Sequence, residues 1–229
     1  MCARYTIYHS TSDIVDRFDV LDVLFEISPR YNVAPQSLAP VLSQDSGRVR
    51  LQGYRWGLVP SWASEQSIGQ KMFNARAETI AEKPAFAKSL TRRRCIVPAD
   101  GFYEWIPRAK ERQPLHIQFN DASLFGIAGI WDMWQRQNEM PVYSFAIVTV
   151  AANSLIAGFH TRMPAILRPQ DEAMWLDSDF HDGRAAATIL QPYDPGNMRA
   201  FKVDKKVNRA GYEDPSCIAP LVEPPTLAL

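Results

Sequence analysis

The sequence predicts a single-domain α+β protein whose largely antiparallel, barrel-like β core is surrounded by short helices. Segments rich in β-branched and aromatic residues dominate the chain, and they do not alternate with helices in the regular order of a parallel sheet. Seventeen prolines fit a fold with many corners and extended connections. Hydrophobic residues make up 46% of the chain, which is typical of a packed globular domain.

Six segments are predicted to be strands. Each is bounded by Gly, Pro, Asn or Asp, the residue types that favour turns. The predicted strands are Leu38–Leu42, Val49–Leu58, Cys95–Trp105, Pro114–Phe119, Leu124–Trp131 and Val142–Val150.

Four short helices are predicted around these strands. Ser12 and Asp13 are typical helix-capping residues, and Pro84 favours the first turn of a helix. Acidic residues at 171 and 172 suit the positive end of another helix. The predicted helices run from Ser12–Asp13 to about Phe18 and over Ala85–Leu90, Ala151–Phe159 and Pro169–Leu176.

Length and composition favour one domain over residues 2–221, followed by a flexible tail at 222–229. We expect the protein to be cytoplasmic for the following reason. No apolar run reaches the roughly 18 residues of a membrane-spanning helix, and the N-terminus lacks the pattern of a secretory signal. Lys plus Arg and Asp plus Glu balance at 25 each, so a nucleic-acid site would depend on particular arginines rather than on net charge. We expect a monomer.

The cysteines and histidines do not indicate a metal site or a disulfide framework. Cys2, Cys95 and Cys217 lie far apart without a CxxC pair, and none of the four histidines has metal-ligand spacing from another. No metal and no other cofactor is expected.

Cys2 is the residue with the most distinctive chemistry. Its position after Met1 allows the initiator methionine to be removed, which leaves a free α-amine with a pKa of about 7.7 to 8.0 beside a thiol with a pKa of about 8.5. The amine can attack an aldehyde to form an imine, and the thiol can then close a five-membered thiazolidine. Alone, a cysteine here is more often a small apolar residue that begins a strand.

An ordered set of short segments favours the interpretation of Cys2 as a nucleophile. Behind Met-Cys-x-Arg come Arg30-Tyr31-Asn32-Val33-Ala34-Pro35, Trp56-Gly57-Leu58-Val59-Pro60-Ser61-Trp62, Asn74-Ala75-Arg76-Ala77-Glu78-Thr79, Ala99-Asp100-Gly101-Phe102-Tyr103-Glu104-Trp105 and His160-Thr161-Arg162-Met163-Pro164. In this order, from Cys2 to about Asn208, the set resembles the SRAP family (SOS-response-associated peptidases, or abasic site processing proteins). One departure is Ala3, where the family pattern has Gly.

The resemblance implies recognition of abasic sites in single-stranded DNA and a thiazolidine cross-link through Cys2. The cross-link would shield the lesion during the DNA damage (SOS) response. The resemblance also implies an enzyme, with either abasic-site processing and lyase-type activity or self-processing peptidase activity. No membrane partner is implied.

Three further residues are candidates for the active site. Glu104 lies among aromatic residues, where desolvation would raise its pKa and suit it to proton transfer. His160 could protonate the sugar ring oxygen or assist reversal of the cross-link, or it could be a helix-end histidine bonded to backbone carbonyls. Asn74 could hold the N-terminal amine or a sugar hydroxyl, or it could be an ordinary helix cap. The resemblance implies that all three residues lie in the active site with Cys2.

Five residues are candidates for DNA binding. Arg4, Arg76 and Arg162 each lie within three residues of a proposed catalytic residue and could hold phosphates, and the alternative for each is a surface ion pair. Trp62 and Trp105 could stack on bases, and the alternative for both is core packing. Two basic groups are weaker candidates: Arg92-Arg93-Arg94, expected to be a solvated edge or turn, and Lys202, Lys205, Lys206 and Arg209.

Two other functions use much the same residues. In the first, an N-terminal-nucleophile autopeptidase or hydrolase, the Cys2 thiol attacks a carbonyl with Glu104 or His160 as base. The second is a non-covalent sensor of single-stranded DNA that uses only Arg76, Arg162 and Trp62. Covalent capture of an aldehyde differs from both because it consumes the protein stoichiometrically and requires Cys2.

Overall fold

Two β-sheets dominate residues 2–106 and 112–221, the part of the chain that the computed structural model describes. Short helices lie at the connections and against the sheets. The strands are β1 (Tyr5–Ile7), β2 (Asp22–Val23), β3 (Arg30–Val33), β4 (Leu38–Asp45), β5 (Arg48–Trp56), β6 (Asn74–Arg76), β7 (Arg94–Ala99), β8 (Gly101–Ile106), β9 (Gln113–Phe119), β10 (Phe125–Trp134), β11 (Val142–Ala151), β12 (Arg162–Pro164) and β13 (Met198–Lys202). The helices are α1 (Thr11–Phe18), α2 (Pro84–Arg92), α3 (Ser154–Ala157), α4 (Pro169–Leu176) and α5 (Gly183–Ala187), with 3-10 turns at Gln66–Lys71, Pro195–Asn197, Lys205–Asn208 and Pro215–Ile218.

The larger sheet closes on itself. Its strand order is β12-β11-β10-β7-β4-β5-β2, with β6 paired to β11, and a parallel pairing of β11 with β5 joins the two sides into a ring. Most pairings are antiparallel, and the parallel ones join β11 to β5, β11 to β6 and β2 to β5. The predicted α+β class and largely antiparallel sheet are therefore confirmed. The smaller sheet is antiparallel, in the order β13-β9-β8-β1-β3.

A sharp corner at Asp100 connects the two sheets. The single strand predicted over Cys95–Trp105 is wrong, because β7 belongs to the larger sheet and β8 to the smaller one. The carboxylate of Asp100 is fully buried and accepts hydrogen bonds from Thr6 Oγ1 (2.5 Å), the Tyr8 backbone N–H (2.6 Å) and the backbone and side chain of His9. The corner thus fixes the strand that follows the N-terminus.

The main hydrophobic core extends through both sheets. Its largest buried members include Tyr5, Trp56, Phe102 and Trp175, and the ring of Tyr5 meets the edge of Trp56 at 5.3 Å between centroids. Burial of such aromatic side chains contributes about 1.5 to 3 kcal/mol each. The core therefore holds the N-terminal strand against the larger sheet.

The structure changes several local predictions. Helix α1 is capped by Ser10, which forms a capping box with Asp13, rather than by Ser12 and Asp13. The helix predicted over Ala151–Phe159 is wrong except for α3, because β11 continues to Ala151 and Asn153 caps the four-residue helix. Helix α4 has the predicted bounds, and α2 includes its predicted segment.

The arginine run at 92–94 is only partly the solvated edge or turn that was predicted, because Arg92 is exposed at the end of α2 whereas Arg94 is not. Arg94 is buried and donates to the carbonyls of Leu90, Trp175, Asp177 and Phe180. With the Thr91 carbonyl, five carbonyl acceptors satisfy a guanidinium that would otherwise be costly to bury. Arg94 is therefore a structural residue.

No helix in residues 2–106 and 112–221 combines the length and apolar character needed to cross a membrane. The predicted tail at 222–229 lies outside the described residues, and the domain limit at 221 stays a prediction.

We expect Asp100→Ala to destabilise the protein by about 3 to 5 kcal/mol, because it leaves buried hydrogen-bond donors without an acceptor. Urea unfolding monitored by tryptophan fluorescence measures this change. Asp16→Ala, at an exposed position of α1, is the matched control and should change stability by less than about 0.5 kcal/mol. Similar stability of the two variants would show that the corner does not depend on the carboxylate.

Candidate active site

Strand β1 carries the N-terminus to the end of β8. Tyr5 is paired with Phe102, and the Tyr103 N–H donates to the Arg4 carbonyl at 3.0 Å. Because the strands are antiparallel, continuing this register places Ala3 beside Glu104. Cys2 is fully buried at this point.

Asn74 holds the main chain of Cys2 from the opposite sheet. Its Nδ2 donates to the Cys2 carbonyl oxygen at 2.7 Å, and β6 is fixed in parallel register against β11 with Asn74 beside Ile147. The Asn74 Oδ1 is buried and has no hydrogen-bond partner among the described residues. Asn74 therefore positions Cys2 and keeps one acceptor for another group.

Glu104 is a buried carboxyl beside Cys2. Only 2% of the residue is exposed, and its Oε1 has no hydrogen-bond partner within the described ranges. Burial raises the pKa of Glu104 to about 7. The carboxyl can therefore both donate and accept a proton near neutral pH, as its aromatic surroundings in the sequence predict.

His160 lies against the same carboxyl. Its Nδ1 is 3.7 Å from Glu104 Oε1, 3.0 Å from the Arg162 backbone nitrogen that donates to it, and 2.9 Å from the Arg162 carbonyl oxygen. Partial burial lowers the pKa of His160, which favours the neutral imidazole. The backbone contact that was the alternative for this histidine is present, and it orients the ring beside Glu104.

The thiol of Cys2 is held in its protonated form. Burial, aided by the charge of Glu104, raises the pKa of the Cys2 thiol to about 12. Its Sγ lies 3.9 Å from the Arg4 carbonyl oxygen. This environment is the reverse of the cationic surroundings that activate a nucleophilic thiolate.

An open cleft of about 710 Å³ passes over this cluster. Four of the predicted site residues line it: Arg4, Glu104, Trp105 and His160. Five others, which the sequence did not single out as site residues, complete the lining: Ala3, Phe73, Arg112, Phe159 and Asn208. Phe73 and Phe159 immediately precede Asn74 and His160, so adjacency to a candidate residue is the signal that could have found them.

The two candidate tryptophans lie in different places. Trp105 is half-buried in the cleft, and its indole Nε1 donates to Asn208 Oδ1 at 2.6 Å. Trp62 is 61% exposed and lines a separate depression of about 420 Å³ with Lys71. The structure therefore brings Trp105, but not Trp62, to the cluster around Cys2.

The three candidate arginines differ in their partners. Arg4 is half-buried, and its Nη1 donates to Asn32 Oδ1 (2.8 Å) and to the Val207 carbonyl (3.0 Å). Arg76 is exposed on β6, two residues beyond Asn74. Arg162 forms a two-bond ion pair with Glu78. Arg76 and Arg162 place positive charge on β6 and β12, and Arg4 places it directly before β1.

A second cleft, of about 570 Å³, contains none of the predicted site residues. It is lined in part by His9, Arg17 and Tyr193. Among the described residues, no group of three His, Cys, Asp or Glu side chains is placed to hold a metal ion.

Comparison with known proteins places this arrangement in context. The model of the SOS response associated peptidase (SRAP) family matches residues 1–210. The abasic site processing protein YoqW of Bacillus subtilis is 39% identical over 221 residues, which are 95% of this chain and 99% of the relative. The abasic site processing protein HMCES of Xenopus tropicalis is 33% identical over 226 residues, covering 85% of this chain and 67% of the relative.

The fold also occurs in solved structures. A crystal structure of a protein from Bacteroides thetaiotaomicron matches with a TM-score of 0.88 and 27% sequence identity, over 96% of this chain and 100% of that one.

The raised pKa of Glu104 makes a prediction about stability. The folded state binds the carboxyl proton more tightly than the unfolded state, whose pKa stays near 4.5. The stabilisation that comes from the protonated Glu104 is therefore fully present below about pH 4.5. It is lost as pH rises through about 7, and the loss amounts to roughly 3 kcal/mol. We expect the Tm of Glu104→Gln minus the Tm of wild type to be larger at pH 8 than at pH 5.

Thermal melts at the two pH values measure this difference. Glu139→Gln, at an exposed position, should give a difference from wild type that does not change with pH. A pH-independent difference for Glu104→Gln would mean that burial does not raise its pKa.

Proposed function

The chain belongs to the SOS response associated peptidase (SRAP) family, and we propose that it captures abasic sites in single-stranded DNA by bonding covalently to them through Cys2. The observation that carries the proposal is the position of the buried Cys2 close to Glu104, a carboxyl with a pKa of about 7 that lines an open cleft together with Arg4 and Trp105. The names of the relatives as abasic site processing proteins support the same substrate.

The reaction begins after Met1 is removed. The α-amine of Cys2 attacks the C1′ aldehyde of the ring-opened sugar, and the resulting carbinolamine loses water to give an imine. The thiol adds to the imine carbon, and its proton passes to the nitrogen. The product is a five-membered thiazolidine that contains C1′ and the N, Cα, Cβ and Sγ atoms of Cys2.

Glu104 and His160 divide the proton transfers. With a pKa of about 7, Glu104 is present both as an acid that protonates the departing hydroxyl and as a base that accepts a proton from the amine or thiol. The lowered pKa of His160 suits it to take the proton of the closed sugar's hydroxyl better than to protonate the ring oxygen. Asn74 holds Cys2 in place by donating a hydrogen bond to the backbone carbonyl of Cys2.

The state of the thiol favours capture over hydrolysis. A cysteine hydrolase attacks with a thiolate, whereas the Cys2 thiol, with a pKa of about 12, is protonated at neutral pH. In the capture reaction the amine attacks first, and the thiol adds only to an imine that is already bound. A non-covalent sensor is also less favoured, because Trp62 lies outside the cleft.

We expect Cys2→Ala to abolish the heat-stable cross-link to single-stranded DNA with one abasic site. The variant keeps an N-terminal amine, so borohydride should still trap its imine, which separates the role of the amine from that of the thiol. A denaturing gel shows both products, and intact-mass analysis establishes that each protein begins at residue 2.

Cys217→Ala is the matched control and should cross-link like wild type. No heat-stable band from wild-type protein that begins at Cys2 would reject covalent capture. Release of a peptide by that protein would support the hydrolase instead.

We expect Arg76→Ala to weaken binding to all single-stranded sequences and to reduce the dependence of log Kd on log salt by about 0.7, the contribution of one phosphate contact. Fluorescence anisotropy in a Cys2→Ala background measures binding without cross-linking. Arg92→Ala, at an exposed position of α2, should leave the salt dependence unchanged. An unchanged slope for Arg76→Ala would remove Arg76 from the DNA site.

A further inference from the structure

The guanidinium of Arg162 is already occupied by a carboxylate. Its Nη1 and Nη2 donate to the two oxygens of Glu78 at 2.5 Å and 2.9 Å, and Nη2 also donates to the Thr149 carbonyl. Two parallel bonds from a guanidinium fork are also the geometry in which arginine binds a phosphodiester. Glu78 thus fills the position that a DNA phosphate would need.

The two partners of this ion pair are unequally anchored. The Arg162 side chain is only 14% exposed, its backbone contacts His160, and its Nε is buried without a hydrogen-bond partner among the described residues. The Glu78 side chain is 54% exposed. An exposed carboxylate can leave such a pair at low cost, because partly exposed ion pairs contribute only about 0 to 1 kcal/mol. Glu78 is therefore the partner that moves.

The strand register places this ion pair near Arg76, which is exposed. Thr149 of β11 is opposite Arg76 on one side and Pro164 of β12 on the other. Arg76 and Arg162 therefore lie on the two strands that flank the same end of β11. A phosphate chain that passes Arg76 would approach Arg162 and meet Glu78.

We propose that Glu78 is an internal substitute for a DNA phosphate, which pairs with Arg162 in the free protein and leaves it when a phosphodiester binds. The inference rests on the proposed function. Exchange of one anion for another gives Arg162 little net affinity for a DNA backbone. Undamaged single strands consequently bind weakly, and retention depends on the covalent step at Cys2.

The test is the affinity of Glu78→Gln for an undamaged single-stranded oligonucleotide, measured by fluorescence anisotropy over a range of salt concentrations in a Cys2→Ala background. We expect binding about two- to fivefold tighter, the range set by a partly exposed ion pair. The dependence of log Kd on log salt should steepen by about 0.7, as one more phosphate contact forms without a competing carboxylate.

Two controls separate the exchange from a general charge effect. Glu82→Gln removes the same charge four residues further along, at an exposed position, and should leave affinity unchanged. Combining Glu78→Gln with Arg162→Ala should abolish the gain. Glu78→Asp keeps the charge but shortens the side chain, and its affinity should lie between those of wild type and Glu78→Gln. It replaces Glu78→Gln in the test if that variant does not fold.

Unchanged or weaker binding by Glu78→Gln, or an equal gain in Glu82→Gln, would overturn the proposal. Weaker binding would mean that Glu78 positions Arg162 for DNA. Cross-linking of an abasic oligonucleotide by wild-type protein is measured separately. Its failure would count against the proposed function, whereas the affinity of the Glu78 variants for undamaged DNA reports only on the exchange.

Discussion

The buried carboxylate of Asp100 is the constraint on which the positions of the other elements depend. It receives hydrogen bonds from Thr6, Tyr8 and His9 at the point where the chain passes from the larger to the smaller sheet. These bonds fix β1 against β8, and the continued register places Ala3 opposite Glu104, with Cys2 next to it and close to the same carboxyl. A buried charge without its donors would be strongly unfavourable, so the corner and the N-terminal strand form together.

Burial then determines the chemistry of the site. The same loss of solvent raises the pKa of the Glu104 carboxyl to about 7 and that of the Cys2 thiol to about 12, while it lowers the pKa of His160. All three groups are thereby shifted toward their neutral forms, because a low-dielectric site penalises charge. Such a site suits addition of an amine to an aldehyde, in which protons move and no stable thiolate is required.

The local sequence predicted the parts of the fold that depend on neighbouring residues. Turn residues marked the long strands, and Pro169 marked the start of α4. The short strands β1, β6 and β12 were missed because three residues carry too little pattern, and they exist only through pairing with longer strands. The burial of Arg94 was missed for a related reason, since its carbonyl acceptors come largely from distant segments.

The sequence by itself determined the family resemblance, the fold class and the choice of Cys2, Asn74, Glu104 and His160, because residue chemistry and the order of motifs are properties of the linear chain. Only the tertiary structure decided which groups meet. It separated Trp62 from the cleft, added Asn208 beside Trp105 and paired Arg162 with Glu78. Contacts between distant segments and the loss of solvent set these outcomes, and both arise only when the two sheets pack together.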